Sequence, residues 1–169
     1  MTTRIYLDWN ATAPLRPEAQ AAMEEALRLT GNPSSIHAEG RAARRVLEEA
    51  RAAVADLVGA ESRRITFTSG GTEANTMALS PMAERSGERV AFSRLLVSAV
   101  EHPSVRAGGR FPPSLVEAIP VDANGVVDLA WLEERLARAA DGPVLVSVML
   151  ANNETGVVQP VAEVARVTH

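Results

Sequence analysis

Apolar residues recur at helical spacing in two stretches near the N-terminus. Between residues 17 and 30 they fall at Ala19, Ala22, Met23, Ala26 and Leu27, which places them on one face of a helix. Pro17 suits its first turn and Gly31 a C-terminal cap. Between residues 39 and 58 a second stripe comprises Ala43, Val46, Leu47, Ala50, Val54 and Leu57, and Gly59 ends it. After residue 60 the pattern changes. Residues 64–68, 95–100, 116–121 and 144–150 are short apolar runs suited to strands, the last being the clearest buried one. Helices are predicted at 72–84, after Asp128 with Leu129, Leu132 and Leu136 inward and Gly142 as terminator, and from Pro160 onward. Strands alternating with helices predict an α/β fold with a mainly parallel sheet flanked by helices. Residues 1–14 read as an arm that packs elsewhere. Residues 15–169 read as one body without a linker, and its last helix reaches His169 with no stop signal, as expected of an incomplete domain.

Composition narrows the chemistry. Of 169 residues, 46% are hydrophobic and 22% charged, an ordinary globular balance. The net charge of −4 is spread along the chain, so no nucleic-acid surface is expected. No apolar run has the length of a membrane span and no signal-peptide pattern is present, so the expected location is cytoplasmic. There is no cysteine, which removes disulfides, thiolate metal sites and a cysteine nucleophile. There is no lysine either: all 17 basic residues are arginine, so no side chain here can form a Schiff base with an aldehyde. His37, His102 and His169 lack ligand spacing, and no metal site is expected.

Ligands of parallel α/β sheets bind beyond the carboxyl ends of the strands, and three such ends carry polar clusters. The first is Phe67-Thr68-Ser69-Gly70-Gly71-Thr72-Glu73-Ala74-Asn75. Free N–H groups at a helix start favour an anion, and Ser69 and Thr72 hydroxyls can add bonds to a phosphate. The same residues would also serve as a plain helix cap and turn. The motif matches neither nucleotide-binding glycine template. The second is Glu101-His102-Pro103, where an imidazole could stack on a flat ring or shuttle a proton, or be an ordinary loop histidine. The third is Asn152-Asn153-Glu154-Thr155-Gly156, whose amides could orient a ligand or simply build a turn. The loop Asn32-Pro33-Ser34-Ser35-Ile36-His37 could line an entrance or merely connect two helices.

Taken together with Tyr6-Leu7-Asp8-Trp9-Asn10-Ala11-Thr12-Ala13-Pro14, these motifs stand in the order seen in cysteine desulfurases, which the chain resembles over nearly its whole length. Those are pyridoxal-phosphate (PLP) enzymes of the class V aminotransferase group. The resemblance implies the N-terminal half of the PLP fold-type-I large domain, preceded by an arm belonging to the small domain. It implies that Gly71 and Thr72 hold the cofactor phosphate, that His102 stacks on the pyridine ring and assists proton transfer, and that Asn152 bonds the ring's 3-hydroxyl and orients the substrate carboxylate. Residues 8–12 and 32–37 would lie near the pocket. The implied reaction removes sulfur from L-cysteine, leaving alanine and an enzyme persulfide for iron–sulfur cluster or thio-cofactor assembly. The implied partners are a sulfur-acceptor protein and a second copy in a homodimer, or a complementing C-terminal half. The family's cofactor-binding lysine, its aspartate on the pyridine nitrogen and its sulfur-accepting cysteine come later than this chain reaches. Alone, the chain is therefore expected to be inactive and to aggregate or depend on a partner. The alternatives are another class V lyase such as a selenocysteine lyase, and a truncated non-catalytic paralogue or binding subunit.

Overall fold

The computed structural model describes residues 5–85, 87–139 and 142–168. The chain forms two compact units, residues 1–67 and 68–169. In the first, α1 (Pro17–Leu27) and α2 (Ala38–Val58) form over the two predicted helical stretches, but the stripes are not buried: α1 buries none of its residues, Leu57 is exposed, and on α2 the buried residues are Gly40 and Ala55. Helix α2 closes as expected: Gly59 takes φ 66°, Ala60 N donates to Ala55 O at 2.9 Å and Gly59 N to Asp56 O at 3.3 Å, which satisfies carbonyls the helix leaves free. Gly31 is not a cap. Helix α1 ends at Arg28, and Gly31 instead lies so close to the Glu39 carbonyl that any Cβ would collide with it.

The predicted strand at 64–68 is not formed. Residues 62–64 make one 3-10 turn, and Ile65 is extended but has no strand neighbour among the described residues. Its carbonyl is taken by Arg51 of α2, whose Nη1 donates at 2.6 Å while its guanidinium stands 5.1 Å from the Phe67 ring centroid.

The second unit is built on a parallel sheet of β3 (Arg94–Ser98), β4 (Val116–Ile119) and β5 (Val144–Ser147), in the order β4-β3-β5. Leu95 lies opposite both Val116 and Leu145. Strand β3 is buried on both faces: Leu95 and Leu96 are 0% and 1% exposed. Alternation along the strand sends Leu95 and Val97 into a cluster with Leu79, Val105 and Phe111. It sends Leu96 to the other side, with Ile119, Val127, Leu132 and Val164. Helices α3 (Gly71–Ala78) and α4 (Pro103–Arg106) contribute to the first cluster or flank it. Helices α5 (Leu129–Ala137) and α6 (Val161–Thr168) supply the second. The expected α/β layering is therefore observed. Each strand is shorter than its apolar run, because side chains and turns take over the backbone bonds at its end.

Two helix ends depart from the prediction. Helix α3 stops at Ala78, not near residue 84, since Pro81 has no N–H and its ring would crowd the preceding turn. An antiparallel hairpin follows, β1 (Met82–Arg85) with β2 (Glu88–Ala91), in which Met82 pairs with Ala91 and Gly87 takes φ 85°. Gly142 does not close α5, which ends at Ala137. It lies at φ 122° in the turn before β5, where Ser93 N bonds Pro143 O at 2.8 Å. Asp128 caps α5 as expected, accepting from Trp131 N at 2.9 Å. Among the described residues no helix is long and apolar enough to cross a membrane.

The pair Gly108-Gly109, unexplained by sequence, is a packing device. Both have left-handed φ, at 81° and 59°. A Cβ on Gly109 would sit 2.5 Å from the Leu79 Cβ and carbonyl oxygen, and the next N–H, of Arg110, donates to that carbonyl at 2.8 Å. The C-terminal end of α3 is thereby held against the turn after α4. Gly59 shares the left-handed backbone but has nothing near a would-be Cβ. Gly59→Ala should therefore cost about 1 kcal/mol from backbone strain. Gly109→Ala adds a clash and should cost about 2–4 kcal/mol. Urea midpoints of the two variants check this, and equal losses would refute the packing role.

Candidate functional site

Residues 68–70 lead into α3. Gly70 is its N-cap, with φ 167° and ψ 177°, an extended backbone that any residue adopts. A Cβ on Gly70 or on Gly71 would find no heavy atom within 4 Å. Neither strain nor packing requires these glycines, and the space before the helix start stays open. The first intrahelical bond runs from Ala74 N to Gly70 O at 3.1 Å, so the N–H groups of Gly71, Thr72 and Glu73 precede the helix ladder.

The two hydroxyls expected at this turn behave differently. Ser69 is committed within the protein: its N–H and Oγ donate to Glu73 Oε2 at 2.6 and 2.8 Å. Those bonds, the backbone one first, hold the Glu73 carboxyl below its ordinary range. Glu73 thus reaches back to brace the turn, as in a capping box, a role the sequence reading did not assign. Thr68 Oγ1 donates to Gly70 O at 3.0 Å. Thr72 lines the adjoining cleft, of about 370 Å³, together with Gly71, Asn75, His102 and Ser104.

His102 enters this cleft from the other side. It is the N-cap of α4, and its Nδ1 accepts from Ser104 N at 3.2 Å and meets Ser104 Oγ at 2.7 Å. Asn75 of α3 donates from Nδ2 to the same Oγ at 2.8 Å. Asn75 and Ser104 were not singled out from the sequence. The available signal was spacing: Asn75 stands three residues after Thr72 on α3, hence on the same face, and Ser104 two after His102.

Asn152 lies at the end of the neighbouring strand, and its amide builds the turn. Oδ1 accepts from Glu154 N and Thr155 N, both at 2.9 Å, while Nδ2 donates to Val100 O at 2.9 Å and approaches Met149 Sδ at 3.5 Å. It is buried and is not among the residues lining the cleft with Gly71, Thr72 and His102. The bond to Val100 O ties it to the chain two residues before His102. Glu101 makes a parallel tie. It is buried, and its Oε1 accepts from Met149 N at 2.5 Å and Ser98 Oγ at 3.1 Å. Burial pushes its carboxyl above the ordinary value, against the opposing effect of those two bonds.

In the first unit the loop at 32–37 is a connection with defined bonds. Asn32 Oδ1 accepts from Ser34 N at 2.9 Å, and His37 Nδ1 caps α2 by accepting from Gly40 N at 3.3 Å. Asp8 Oδ1 likewise accepts from Ala11 N at 3.3 Å. Among the described residues no cluster suits a metal ion. His169 lies outside the described residues.

An open cradle of early helix N–H groups, glycines that leave it unfilled, a threonine hydroxyl and a facing imidazole fit a phosphate ester attached to a flat ring. Comparison with known proteins identifies the family. The family model for Aminotransferase class-V matches residues 5–169, and the chain belongs to that family. It is 40% identical over 171 residues to the cysteine desulfurase IscS of Dictyoglomus turgidum, covering 99% of this chain and 42% of that protein. It is 41% identical to a selenocysteine lyase of Xenopus tropicalis, covering 96% of this chain and 41% of the relative. The NifS-like protein from Rickettsia africae superposes with a TM-score of 0.83 at 36% identity, over 97% of this chain and 44% of that one. The chain thus spans under half the length of these relatives, matching the resemblance to an N-terminal portion of such a fold.

Glu101 gives the site a signature in pH. Its carboxyl holds its proton more tightly when folded, so its contribution to stability is full below its ordinary value of 4.5 and is lost as pH rises through the raised one. Glu101→Gln keeps an acceptor for Met149 N without the charge. The melting temperature of the variant minus that of the wild type should increase between about pH 4 and pH 7, across which a carboxyl with a raised value loses its proton. A difference independent of pH would contradict the buried-carboxylate reading.

Proposed function

We propose that this chain supplies the phosphate-binding and ring-binding portion of a PLP-dependent cysteine desulfurase. The N–H groups of Gly71 and Thr72 and the Thr72 hydroxyl hold the cofactor phosphate. His102 stacks on the pyridine ring and assists proton transfer. Asn152 exchanges its weak contact with Met149 Sδ for the ring's 3-hydroxyl and helps orient the substrate carboxylate. When bound, PLP supplies an electron sink for the substrate's α-carbon. The observation that carries this reading is the open space in front of Gly70 and Gly71, facing His102 across one cleft.

The chain contains neither lysine nor cysteine. The amine that anchors the cofactor aldehyde and the thiol that receives sulfur therefore come from outside these 169 residues, which alone do not turn over L-cysteine. The same reading carries a homodimer, a cytoplasmic location, and a sulfur-acceptor protein for iron–sulfur or thio-cofactor assembly. The likeness to a selenocysteine lyase favours a second substrate, L-selenocysteine. Alanine release from each amino acid, measured after adding a segment that carries the lysine and cysteine, separates the two.

The binding claim can be tested without that segment. Pyridoxine 5′-phosphate has no aldehyde and needs no lysine. By calorimetry it should bind at least about tenfold more tightly than pyridoxine, which lacks the phosphate. Gly71→Val should remove that preference while leaving the melting temperature within about 2 °C, because a Cβ there has no heavy atom within 4 Å. Equal binding of the two compounds, or an unchanged preference in the variant, would refute the assignment.

A further inference from the structure

The bonds around His102 bear on which of its nitrogens carries the proton. A backbone N–H can only donate, so the bond from Ser104 N makes Nδ1 an acceptor. Ser104 Oγ must then donate to Nδ1 across 2.7 Å, because an unprotonated nitrogen has no hydrogen to give. That leaves the Oγ lone pairs free to accept from Asn75 Nδ2 at 2.8 Å. The two side-chain bonds run in one direction, from Asn75 of α3 through Ser104 Oγ into the imidazole, and the Ser104 N–H bond ends on the same nitrogen.

We infer that Asn75 and Ser104 are positioning residues that lock neutral His102 in the Nε2–H tautomer, so that the ring offers the cleft a proton donor and no free basic nitrogen. Moving the proton to Nδ1 would break two accepted bonds at once. His102 then acts towards a ligand as a flat face and a donor. It becomes a base only when the Ser104 bonds are given up. The inference bears on catalysis only through the proposed placing of His102 beside the cofactor ring, but its test needs no cofactor.

The tautomer is read by long-range proton–nitrogen correlation spectra of the full chain labelled with 15N-histidine, recorded at pH 8.5, with His102→Gln to assign the signals. Wild type should show the Nε2–H pattern at His102. Ser104→Ala removes the Oγ bond and leaves only the longer backbone one, and Asn75→Ala loosens the same hydroxyl, so both should shift it towards a tautomer mixture, and Ser104→Thr should restore it. His37, whose Nδ1 meets Gly40 N at 3.3 Å and Glu39 Oε2 at 3.0 Å rather than Asn75 or Ser104, serves as the control and should not change. Carbethoxylation by diethyl pyrocarbonate gives a second measure, read at His102 by mass spectrometry. The reagent attacks a free imidazole lone pair, so Ser104→Ala should raise the His102 rate by about fivefold, one neutral hydrogen bond's worth, with His37 unaffected. A mixed or Nδ1–H tautomer in the wild type would overturn the inference, as would a Ser104→Ala variant whose His102 spectrum and carbethoxylation rate both match the wild type. Neither result depends on whether pyridoxine 5′-phosphate binds, so failure here and failure of the cofactor reading are separate observations.

Discussion

Burial of β3 on both faces is the constraint on which the site depends. Leu95 and Val97 are committed to one helical layer and Leu96 to the other, so a one-residue shift would drive each side chain into the opposite cluster, whose packing is built for a different set. Each fully buried leucine contributes roughly 1.5–3 kcal/mol. With β3 fixed and its neighbours parallel, the carboxyl ends of β3 and β5 emerge side by side. Two bonds then stitch them together: Glu101 to Met149 N, and Asn152 to Val100 O. The direction in which His102 leaves the sheet follows from these.

Helix α3 is aligned to that edge by contacts at its middle and its far end. Asn75 reaches Ser104, and the Leu79 carbonyl is taken by Arg110 after the two close-packed glycines. The N-terminal turn of α3 is braced by Glu73 on Ser69 and by Thr68 Oγ1 on the Gly70 carbonyl, and its residues Gly71 and Thr72 line the cleft. The fold thus spends its packing on everything around the helix start and leaves the start open. Gly70 would also serve as an ordinary N-cap, and what goes beyond capping is the open space at both Gly70 and Gly71.

The sequence made much of this legible because its signals were local and strongly periodic. The helix at α2, the Gly59 cap and the Asp128 cap each encode their structure in a few neighbouring residues, whereas the run at 144–150 gives a strand only over 144–147, half-buried, and the buried strand is β3. The misses were of another kind. Ile65 looked like a strand residue, yet strand formation needs a neighbour, and its carbonyl went to Arg51. The overlong helix after Thr72 came from extending an apolar pattern past Pro81. Gly31 resembled a cap by its position, whereas its real constraint is a backbone eight residues further on. At the site, Gly71, Thr72 and His102 were found by motif and do share a cleft. Asn75, Ser104 and Glu73 act through partners that spacing alone could not rank.

The central claim is that main-chain N–H groups at the start of α3 hold a phosphate. Amide chemical shifts of the 15N-labelled chain, followed during titration with pyridoxine 5′-phosphate, test it most directly. The largest changes should fall on Gly71, Thr72 and Glu73, with smaller ones at His102. Changes confined instead to the groove between α1 and α2, at Ala22, Ala26 and Val46, or absent from residues 71–73, would contradict it.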